Sequence, residues 1–251
     1  MMTRVKTESE IANMRISGQM LAKVLAVLRA QVAAGMSTKE IADIAAKELK
    51  SLGGKPAFLG YQGFTDVICI SVNDEVVHGI PNNHKVVLAG DIVGLDFGVD
   101  YNGMITDSAI SLIIDRPLSA RDAEMVQATE QAMLAGIGTL KDGVRTGDIG
   151  QAIEDVLKKH RLGIVRDLVG HGVGHELHED PNIPNYGLKG TGQILRAGMT
   201  IAIEPMATLG KEDVYIDRDG WTVKTSDRSR SAHFEHTVLI TQDGYEILTE
   251  V

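Results

Sequence analysis

The segment from Gly90 to Leu112 has the sequence GDIVGLDFGVDYNGMITDSAISL, and it decides the fold. Its centre is Asn102-Gly103, which is typical of a two-residue type I′ turn because both positions of that turn need a positive φ. In the arm before the turn, apolar residues alternate with glycine or aspartate, as in a strand with one buried face. The segment therefore predicts one tight β-hairpin.

Two aspartates, Asp96 and Asp107, lie on opposite arms of this hairpin. A two-residue loop places Asp107 opposite Gly98, so the two carboxylates become diagonal neighbours on one face, about 7–8 Å apart at Cα. A four-residue loop, 100–103, would place them directly opposite each other on the same face. Two half-buried carboxylates this close repel each other, so they either share a proton or hold a cation between them. A metal ion is the natural cation for such a pair.

Two further acids follow the same pattern. Glu204 in TIAIEPMA and Glu235 in SAHFEHTVLIT each alternate with apolar residues. For one such acid, a solvated outer face is the common explanation. Four of them, flanked by small residues, favour a shared acidic site instead. No lysine or arginine occurs in 91–109 or 200–208, so no cation close in sequence neutralises them.

The bulk composition narrows the class of protein. The 251 residues carry a net charge of −9, with 43% hydrophobic and 24% charged residues, which is ordinary for a globular protein and unfavourable for non-specific nucleic-acid binding. Cys69 is the only cysteine, which excludes an internal disulfide and a thiolate zinc site. No apolar run reaches membrane-spanning length, and the amino terminus lacks the apolar core of a signal peptide. We therefore expect a cytoplasmic protein without a membrane span.

Helix signals occur twice in the same order. Capping patterns and apolar periodicity predict helices that open at Thr7, Ser37, Ser119 and Thr146, with stops at Gly53 and near Gly163. Strands and glycine-rich loops follow each helix pair. Adding 108 to a residue number carries Gly35 to Gly143, Leu49 to Leu157 and Asp96 to Glu204. Amphipathic helices resemble one another in general, but a single register through helix and strand favours duplication.

A duplicated chain of this kind predicts an α+β fold. The two halves, about 8–115 and 119–251, would join their strands into one curved antiparallel sheet with helices on its outer face. Asp96 and Glu204 would then face a common cleft within a single catalytic domain, 1–251.

Histidines cluster in GHGVGHELHEDP, residues 170–181. An isolated histidine is more often structural than a ligand, but the glycines around His171 allow a ligand to approach the backbone closely. The zinc-protease pattern H-E-x-x-H beginning at His175 fails, because position 179 is glutamate. The glycines also argue against a helix between His171 and His175. His171 and His178 are therefore candidate site residues outside a zinc-protease helix.

Five motifs occur in order: VVHGIP, two aspartates with ten residues between them, GHGVGHELHEDP, AIEPM and FEHT. Together they resemble the methionine aminopeptidases of the pita-bread (creatinase/aminopeptidase) fold, over about residues 11–248. The 33-residue interval from His171 to Glu204 is too short for the helical insert of the type II enzymes, so the resemblance is to the type I, bacterial-style group. It implies metal-dependent removal of the N-terminal methionine, favouring a small second residue, and internal pseudo-twofold symmetry.

The resemblance implies two divalent ions. Their ligands would be Asp96, Asp107, His171, Glu204 and Glu235. Asp107 and Glu235 would bridge both ions, and Asp96 would chelate one. Carboxylates with one imidazole suit manganese, iron, cobalt or zinc. The same analogy implies a monovalent-cation site near Asn73 and Ser231.

The implied reaction gives roles to three residues. A metal-activated water attacks the scissile carbonyl, and Glu204 accepts its proton and passes it to the leaving amine. His178 would donate a hydrogen bond that stabilises the tetrahedral intermediate. His78, in VVHGIP, would lie near the scissile nitrogen.

The resemblance also implies an apolar pocket for the methionine side chain. Its matching residues are Phe58, Tyr61, Phe64, Cys69, Leu177 and Trp221. Two of them depart from the usual pattern, because Leu177 replaces an aromatic residue and Phe58 a smaller one. We expect Cys69 to line the pocket rather than act as a nucleophile, because no motif histidine is paired with it in sequence. His175 has no implied role.

The implied partner is the N-terminal methionine of a peptide or nascent protein, with the ribosome as a further candidate and a monomer as the expected state. Two alternatives stay open. An Xaa-Pro aminopeptidase or dipeptidase of the same fold usually carries an additional amino-terminal domain. A non-catalytic, metal-free peptide-binding relative would have lost ligands, whereas all five are present here.

Overall fold

The computed structural model describes residues 5–250. Its helices are α1 Glu8–Gln31, α2 Thr38–Leu52, α3 Ala120–Ile137 and α4 Thr146–Lys159. Its strands are β1 Lys55–Pro56, β2 Cys69–Val72, β3 Glu75–Val77, β4 Ile92–Tyr101, β5 Met104–Ile113, β6 Gly163–Ile164, β7 Gly170–Gly172, β8 Glu179–Ile183, β9 Thr200–Ile203, β10 Met206–Thr208, β11 Val214–Ile216, β12 Val223–Thr225, β13 Ser231–His233, β14 Glu235–Ile240 and β15 Tyr245–Ile247. None of these helices has both the length and the apolar character that a membrane span requires.

The predicted helix starts are confirmed by their caps. In α1 the Thr7 side chain accepts a hydrogen bond from the Glu10 N–H, and the Glu10 carboxylate accepts one from the Thr7 N–H at 2.7 Å. The same reciprocal box opens α2 and α3. Such boxes satisfy N–H groups that have no partner inside the helix. At the other end, α2 stops at Gly53, whose φ of 82° is the left-handed cap that glycine adopts readily.

The β4–β5 hairpin has the register that the two-residue loop predicts. The two strands pair along their whole length, with Asp107 opposite Gly98. Asn102 has a φ of 52° and Gly103 a φ of 79°, as a type I′ turn requires. The alternative four-residue loop is therefore wrong, because its register would shift the pairing along the arms.

The largest sheet is antiparallel and has the order β1-β4-β5-β14-β9-β7-β8, with β2 added to β4 and β15 to β14. Strand β14 joins the two halves of the chain. It pairs with β5 through Glu235 and Ala109, and with β9 through Thr237 and Ala202. The predicted α+β class with an antiparallel sheet is thus confirmed.

The apolar core lies between the helices and one face of this sheet. Leu95 and Phe97 of β4 are fully buried in that core. Successive side chains of a strand point to opposite faces, so Asp96 between them points away from the helices. The hairpin therefore presents its acids on the face that the helices do not cover.

Backbone contacts repeat at the interval of 108 residues. The two isolated β-bridges in residues 5–250 join Ser37 to Val86 and Arg145 to Ile194, and each member of the second pair follows its counterpart by 108. The matching glycines Gly35 and Gly143 both have positive φ, at 95° and 82°. These matches favour duplication of one ancestral unit, and we propose 8–115 and 119–251 as the two halves of one catalytic domain.

Candidate metal centre

A cavity of about 160 Å³ opens on the face of the sheet opposite the helices. Its wall brings together every residue that the sequence predicts as a divalent-metal ligand, catalytic histidine or methionine-pocket residue, and adds Gln62. The lining residues are Phe58, Tyr61, Gln62, Phe64, Cys69, His78, Asp96, Asp107, His171, Leu177, His178, Glu204, Trp221 and Glu235. Acidic, imidazole and apolar groups therefore share one small space.

Asp107, His171 and Glu235 form a compact polar group in this wall. Each offers one ligand atom, and these atoms all lie within 4.8 Å of one another. The three side chains are buried, and they come from three different strands, β5, β7 and β14. Asp96 and Glu204 line the same cavity. The arrangement therefore converges on one point from several strands of the sheet.

Asp96, Asp107 and Glu235 are buried and the Glu204 side chain is 13% exposed, and no lysine or arginine within 5–250 forms a salt bridge with any of them. Burial raises the pKa of Asp96 to about 7 and that of Glu204 to about 8. Burial, reinforced by the neighbouring carboxylates, raises the pKa of Asp107 and Glu235 well above the usual range. Such shifts mean that the protein surroundings disfavour four negative charges here. A bound cation would remove that penalty.

Unpaired oxygens point to the same conclusion. Among residues 5–250, Asp96 Oδ1, Asp107 Oδ1 and Glu235 Oε1 are buried without a hydrogen-bond partner. A buried acceptor left without a partner costs about 1–3 kcal/mol. Carboxylate oxygens with one imidazole nitrogen form a donor set that divalent transition metals accept. The residues present therefore fit a divalent metal.

His171 is oriented for coordination by its other ring nitrogen. Its Nδ1 donates to the Gly172 carbonyl oxygen at 2.9 Å, which leaves Nε2 with the free lone pair. Nε2 lies 3.4 Å from Glu204 Oε1. Burial lowers the pKa of His171 to about 3, so the ring is neutral, as a metal ligand must be.

The glycines beside His171 have a structural role. A side chain at Gly170 would overlap the Ala202 carbonyl oxygen of β9, and Gly172 pairs directly with Ile201 of β9. The sequence predicts that the glycines around His171 allow the close approach of a ligand. At Gly170 it is instead the backbone of β9 that approaches closely. This close contact brings His171 next to Glu204.

Two acids lie at strand ends rather than within strands, contrary to the sequence prediction. Glu204 follows β9, which ends at Ile203, because Pro205 has no N–H for the ladder. Strand β9 pairs with β14, and the single strand predicted around Glu235 is divided at Phe234 into β13 and β14. Both carboxylates therefore lie where the chain passes from one sheet to another, since β10 and β13 belong to a separate sheet.

Two further histidines reach the cavity. The Tyr61 hydroxyl lies 2.9 Å from His178 Nδ1, and the rings of His178 and His171 have centroids 4.2 Å apart. His78 has a φ of 61°, a strained conformation for a residue with a β-carbon. Burial lowers the pKa of His78 to about 4. All three rings, those of His78, His171 and His178, therefore line the same cavity.

Apart from Gln62, the rest of the wall is mainly apolar and aromatic. Phe58, Phe64, Cys69 and Leu177 form one buried cluster, against which Tyr61 and Trp221 pack. Phe64 makes edge contacts with Phe58 and with Trp221, at centroid distances of 6.5 and 5.1 Å. The cluster forms an apolar pocket beside the acids. Burial raises the pKa of the Cys69 thiol, which keeps it protonated and disfavours a nucleophilic role.

Sequence reasoning missed two residues. Gln62 lines the cavity from a turn with a φ of 47°, and no pattern in the sequence signals it. His233 is buried, and its Nε2 lies 3.6 Å from Glu204 Oε2 without a hydrogen-bond partner among the described residues. The sequence does contain a signal for His233, because residues two positions apart in an extended chain point to the same side, and Glu235 is one of the predicted acids.

The residues implied for a monovalent cation are also adjacent. The Asn73 carbonyl oxygen accepts hydrogen bonds from the Ser231 N–H at 2.9 Å and from Ser231 Oγ at 3.0 Å. Asn73 has a φ of 60°, which turns the backbone at this point. The two segments therefore meet outside the cavity that holds the acids.

Comparison with known proteins identifies relatives along the whole chain. The model of metallopeptidase family M24 matches residues 12–242. The methionine aminopeptidase of Aquifex aeolicus is 44% identical over 254 residues, covering 98% of this chain and 98% of that protein. Methionine aminopeptidase 1 of Bacillus subtilis is 42% identical over 246 residues, again covering 98% of both.

Comparison with solved structures leads to the same family. The crystal structure of methionine aminopeptidase from Thermotoga maritima superposes with a TM-score of 0.98 at 45% identity, and the match covers 100% of both chains. The prolidase from Pyrococcus furiosus has a TM-score of 0.79 at 24% identity, covering 98% of this chain and 65% of that one. The second likeness is one of fold alone, the pita-bread fold.

Proposed function

Because this chain belongs to the metallopeptidase family M24, and within it to the methionine aminopeptidases, we propose that it removes the N-terminal methionine from peptides and nascent proteins. One observation carries this proposal: buried carboxylates, an imidazole and an apolar pocket share a single cavity. The acids suit a metal-dependent hydrolysis, and the adjoining apolar wall suits a methionine side chain.

The chain binds divalent metal as a member of a metallopeptidase family. We propose two ions of manganese, iron, cobalt or zinc, held by Asp96, Asp107, His171, Glu204 and Glu235. Asp107 and Glu235 would be shared between the ions. When bound, such ions lower the pKa of a water and polarise the scissile carbonyl.

Glu204 is proposed as the proton carrier of the reaction. Its carboxylate lines the cavity beside the other acids, and a positioned carboxylate can serve as general base and then general acid. Its Oε1 lies 3.4 Å from His171 Nε2 and its Oε2 lies 3.6 Å from His233 Nε2, so the carboxylate lies between two imidazoles. It would accept a proton from the attacking water and pass it to the leaving amine.

The histidines would position the substrate. If the Tyr61 hydroxyl donates to His178 Nδ1, the proton of the neutral ring lies on Nε2 and can be donated to the substrate carbonyl. That hydrogen bond would strengthen as negative charge develops on the oxygen. His78 would lie beside the scissile nitrogen.

The pocket of Phe58, Phe64, Cys69 and Leu177 would take the methionine side chain, with Tyr61 and Trp221 at its edge. A thioether packs well against aromatic rings. We propose that the small cavity also favours a small second residue. The departures Leu177 and Phe58 belong to the packed wall itself, so they would shape the pocket rather than obstruct the metal ligands.

Four further proposals accompany the activity. The protein would be cytoplasmic and monomeric, it would meet its nascent substrate at the ribosome, and a monovalent cation would bind near Asn73 and Ser231. The contacts between Asn73 and Ser231 support the last of these.

Hydrolysis of Met-Ala-Ser by the metal-loaded protein tests the proposed activity. We expect release of methionine, with no comparable cleavage of an Xaa-Pro dipeptide. Glu204→Gln should lower kcat by about 10²–10⁴-fold, because it removes the proton carrier. Faster cleavage of the Xaa-Pro dipeptide would favour the prolidase alternative. Metal-loaded protein that binds but never cleaves Met-Ala-Ser would favour a peptide-binding module.

A further inference from the structure

The segment 173–179 connects β7, which carries His171, to β8, which follows His178. The pairing of β7 with β8 changes register between Gly170 and Gly172, so a regular ladder does not fix this segment. The conformation of this segment must be stabilised by other contacts. Up to Gly174 these are backbone contacts with neighbouring strands, because the Val173 N–H donates to the Thr200 carbonyl oxygen at 3.1 Å and the Gly174 carbonyl oxygen accepts from the Ile105 N–H at 2.7 Å. From His175 onward the contacts include side chains from the amino-terminal end of the described chain.

Glu179 is the centre of these contacts. Its Oε1 accepts hydrogen bonds from the backbone N–H groups of His175 at 2.7 Å and Glu176 at 3.3 Å. Its Oε2 accepts one from Lys6 Nζ at 2.7 Å. The Lys6 side chain has no exposed surface, and that of Glu179 is 10% exposed. One carboxylate therefore holds the turn of the segment and a buried ammonium group at the same time.

Lys6 is itself fixed on two sides. Its backbone N–H donates to the Gly198 carbonyl oxygen at 2.8 Å, just before β9. Its side chain lies against Gly174, where an added β-carbon would overlap the Lys6 Cε atom. Gly174 has a φ of 148°, which only glycine adopts readily, so the backbone turns here to make room for the lysine.

A second contact closes the arrangement from outside. Glu10 Oε1 lies 2.7 Å from His175 Nε2, while Glu10 Oε2 caps α1 by accepting from the Thr7 N–H. The first turn of α1 is thus joined to the middle of the segment. This contact also gives His175 a position that its sequence motif left unexplained.

We propose that Lys6 and Glu179 are positioning residues, whose ion pair fixes the segment 173–179 so that His178 meets the substrate. This inference rests on the role proposed for His178. The physical reason is that a buried charge left without its partner is strongly destabilising. One member of this pair, Glu179, directly follows His178 in sequence. Neither member of the pair touches the cavity itself.

Amide hydrogen exchange across 173–179 tests the positioning directly. In Lys6→Met and Glu179→Gln we expect exchange at His175 and Glu176 to accelerate by about tenfold or more, because their hydrogen-bond acceptor is released or weakened. Arg15→Met is the matched control, since it removes another cation of the same region, one that pairs with Glu246 on the surface. Unchanged exchange in Lys6→Met would overturn the inference.

A double-mutant comparison separates positioning from general destabilisation. Lys6→Met should lower kcat for Met-Ala-Ser by about tenfold to a hundredfold, because small displacements of catalytic groups are expensive. In a His178→Ala background the same change should have almost no further effect. Leu28→Ala, which weakens the core of α1 away from the cavity, should leave kcat unchanged. An equal loss of kcat in both backgrounds would contradict action through His178.

A substitute variant and a separate reading of the exchange data keep the inference testable if Lys6→Met or the activity assay fails. If Lys6→Met does not fold, His175→Ala removes the outer contact to Glu10 and should give a smaller acceleration of exchange at the same amides. If the wild-type protein fails to cleave Met-Ala-Ser, the proposed activity fails, while the exchange result still decides whether the ion pair fixes the segment.

Discussion

The β4–β5 hairpin and the segment 170–179 both supply side chains to the cavity, but they are held in place differently. In the hairpin, an unbroken antiparallel ladder fixes Asp107 opposite Gly98. In segment 170–179, the ladder shifts register, and side chains from elsewhere in the chain provide the remaining contacts. The hairpin is thus determined by its own sequence, whereas the segment depends on residues far away in the chain.

This difference predicts where substitutions will act. In the hairpin, damaging changes should lie within the hairpin itself or directly against it. In the segment, changes at the amino-terminal end should matter as much as changes near the histidines. The predictions below test this contrast, beginning with the largest expected effect.

Asp107→Asn should have the largest effect. It removes a buried carboxylate that would be shared by both ions, so kcat should fall by more than the roughly 10–100-fold typical of residues that only support a ligand. Added metal should raise the Tm of the wild type, by mass action on the folded state, and should raise it less in the variant. Kinetics and thermal melts with and without chelator provide the measurement.

Asp100→Asn is its control, because Asp100 lies on the same hairpin near the turn and outside the cavity. It removes the same charge and should retain activity and the metal-dependent rise in Tm. Equal losses in both variants would mean that the hairpin's overall charge matters rather than the position of Asp107.

Gly98→Ala should act on substrate binding. A β-carbon at Gly98 would lie 2.6 Å from Phe58 Cε1, so this ring of the pocket wall would have to move. We expect KM for Met-Ala-Ser to rise about fivefold or more, because the pocket loses complementarity to the side chain. Gly94→Ala is the control, since its β-carbon would have ordinary contacts at 3.6 Å with Ser71. A similar KM in both variants would show that Phe58 does not form the pocket wall.

Gly103→Ala should affect stability alone. The residue has a φ of 79°, which costs about 1–2 kcal/mol for a residue with a β-carbon. In a chain of this size each 1 kcal/mol lowers Tm by roughly 2–4 °C. Calorimetry should show this decrease while kcat and KM stay at wild-type values. A change in kcat would mean that the turn communicates with the acids.

Substitution of Glu10 should have the smallest effect, which should appear as a change in how protein stability depends on pH. Hydrogen bonds, chiefly from the Thr7 backbone and from His175, lower its pKa from 4.5 to about 2. Because the folded-state pKa is the lower one, its contribution to stability is present above pH 4.5 and is lost as the pH falls towards 2. In denaturant titrations, Glu10→Gln should be less stable than wild type at pH 6, and the difference should narrow below pH 4.5. A constant difference would argue against the lowered pKa.

Local interactions explain what the sequence predicted. The Asn102-Gly103 turn sets the hairpin register, and the boxes at Thr7 and Ser37 set helix starts, because each depends on residues a few positions apart. The motifs placed the cavity residues for a similar reason, since each motif is short. The order of the motifs then identified the fold.

The remaining features depend on contacts that no local pattern records. Lys6 and Glu179 are 173 positions apart, so neither residue signals the other. Glu204 lies beyond the end of β9 because Pro205 interrupts the ladder, and the alternation of apolar residues continues across that break. Gln62 reaches the cavity through the fold of a short turn rather than through any periodicity.

Calorimetric titration of metal-free protein with manganese tests the central claim, that ligands from the hairpin and from segment 170–179 form one metal site. The account predicts two ions bound per chain in the wild type, with binding of at least one lost both in Asp107→Asn and in His171→Ala. Unchanged binding in both variants, or no binding by the wild type, would contradict it.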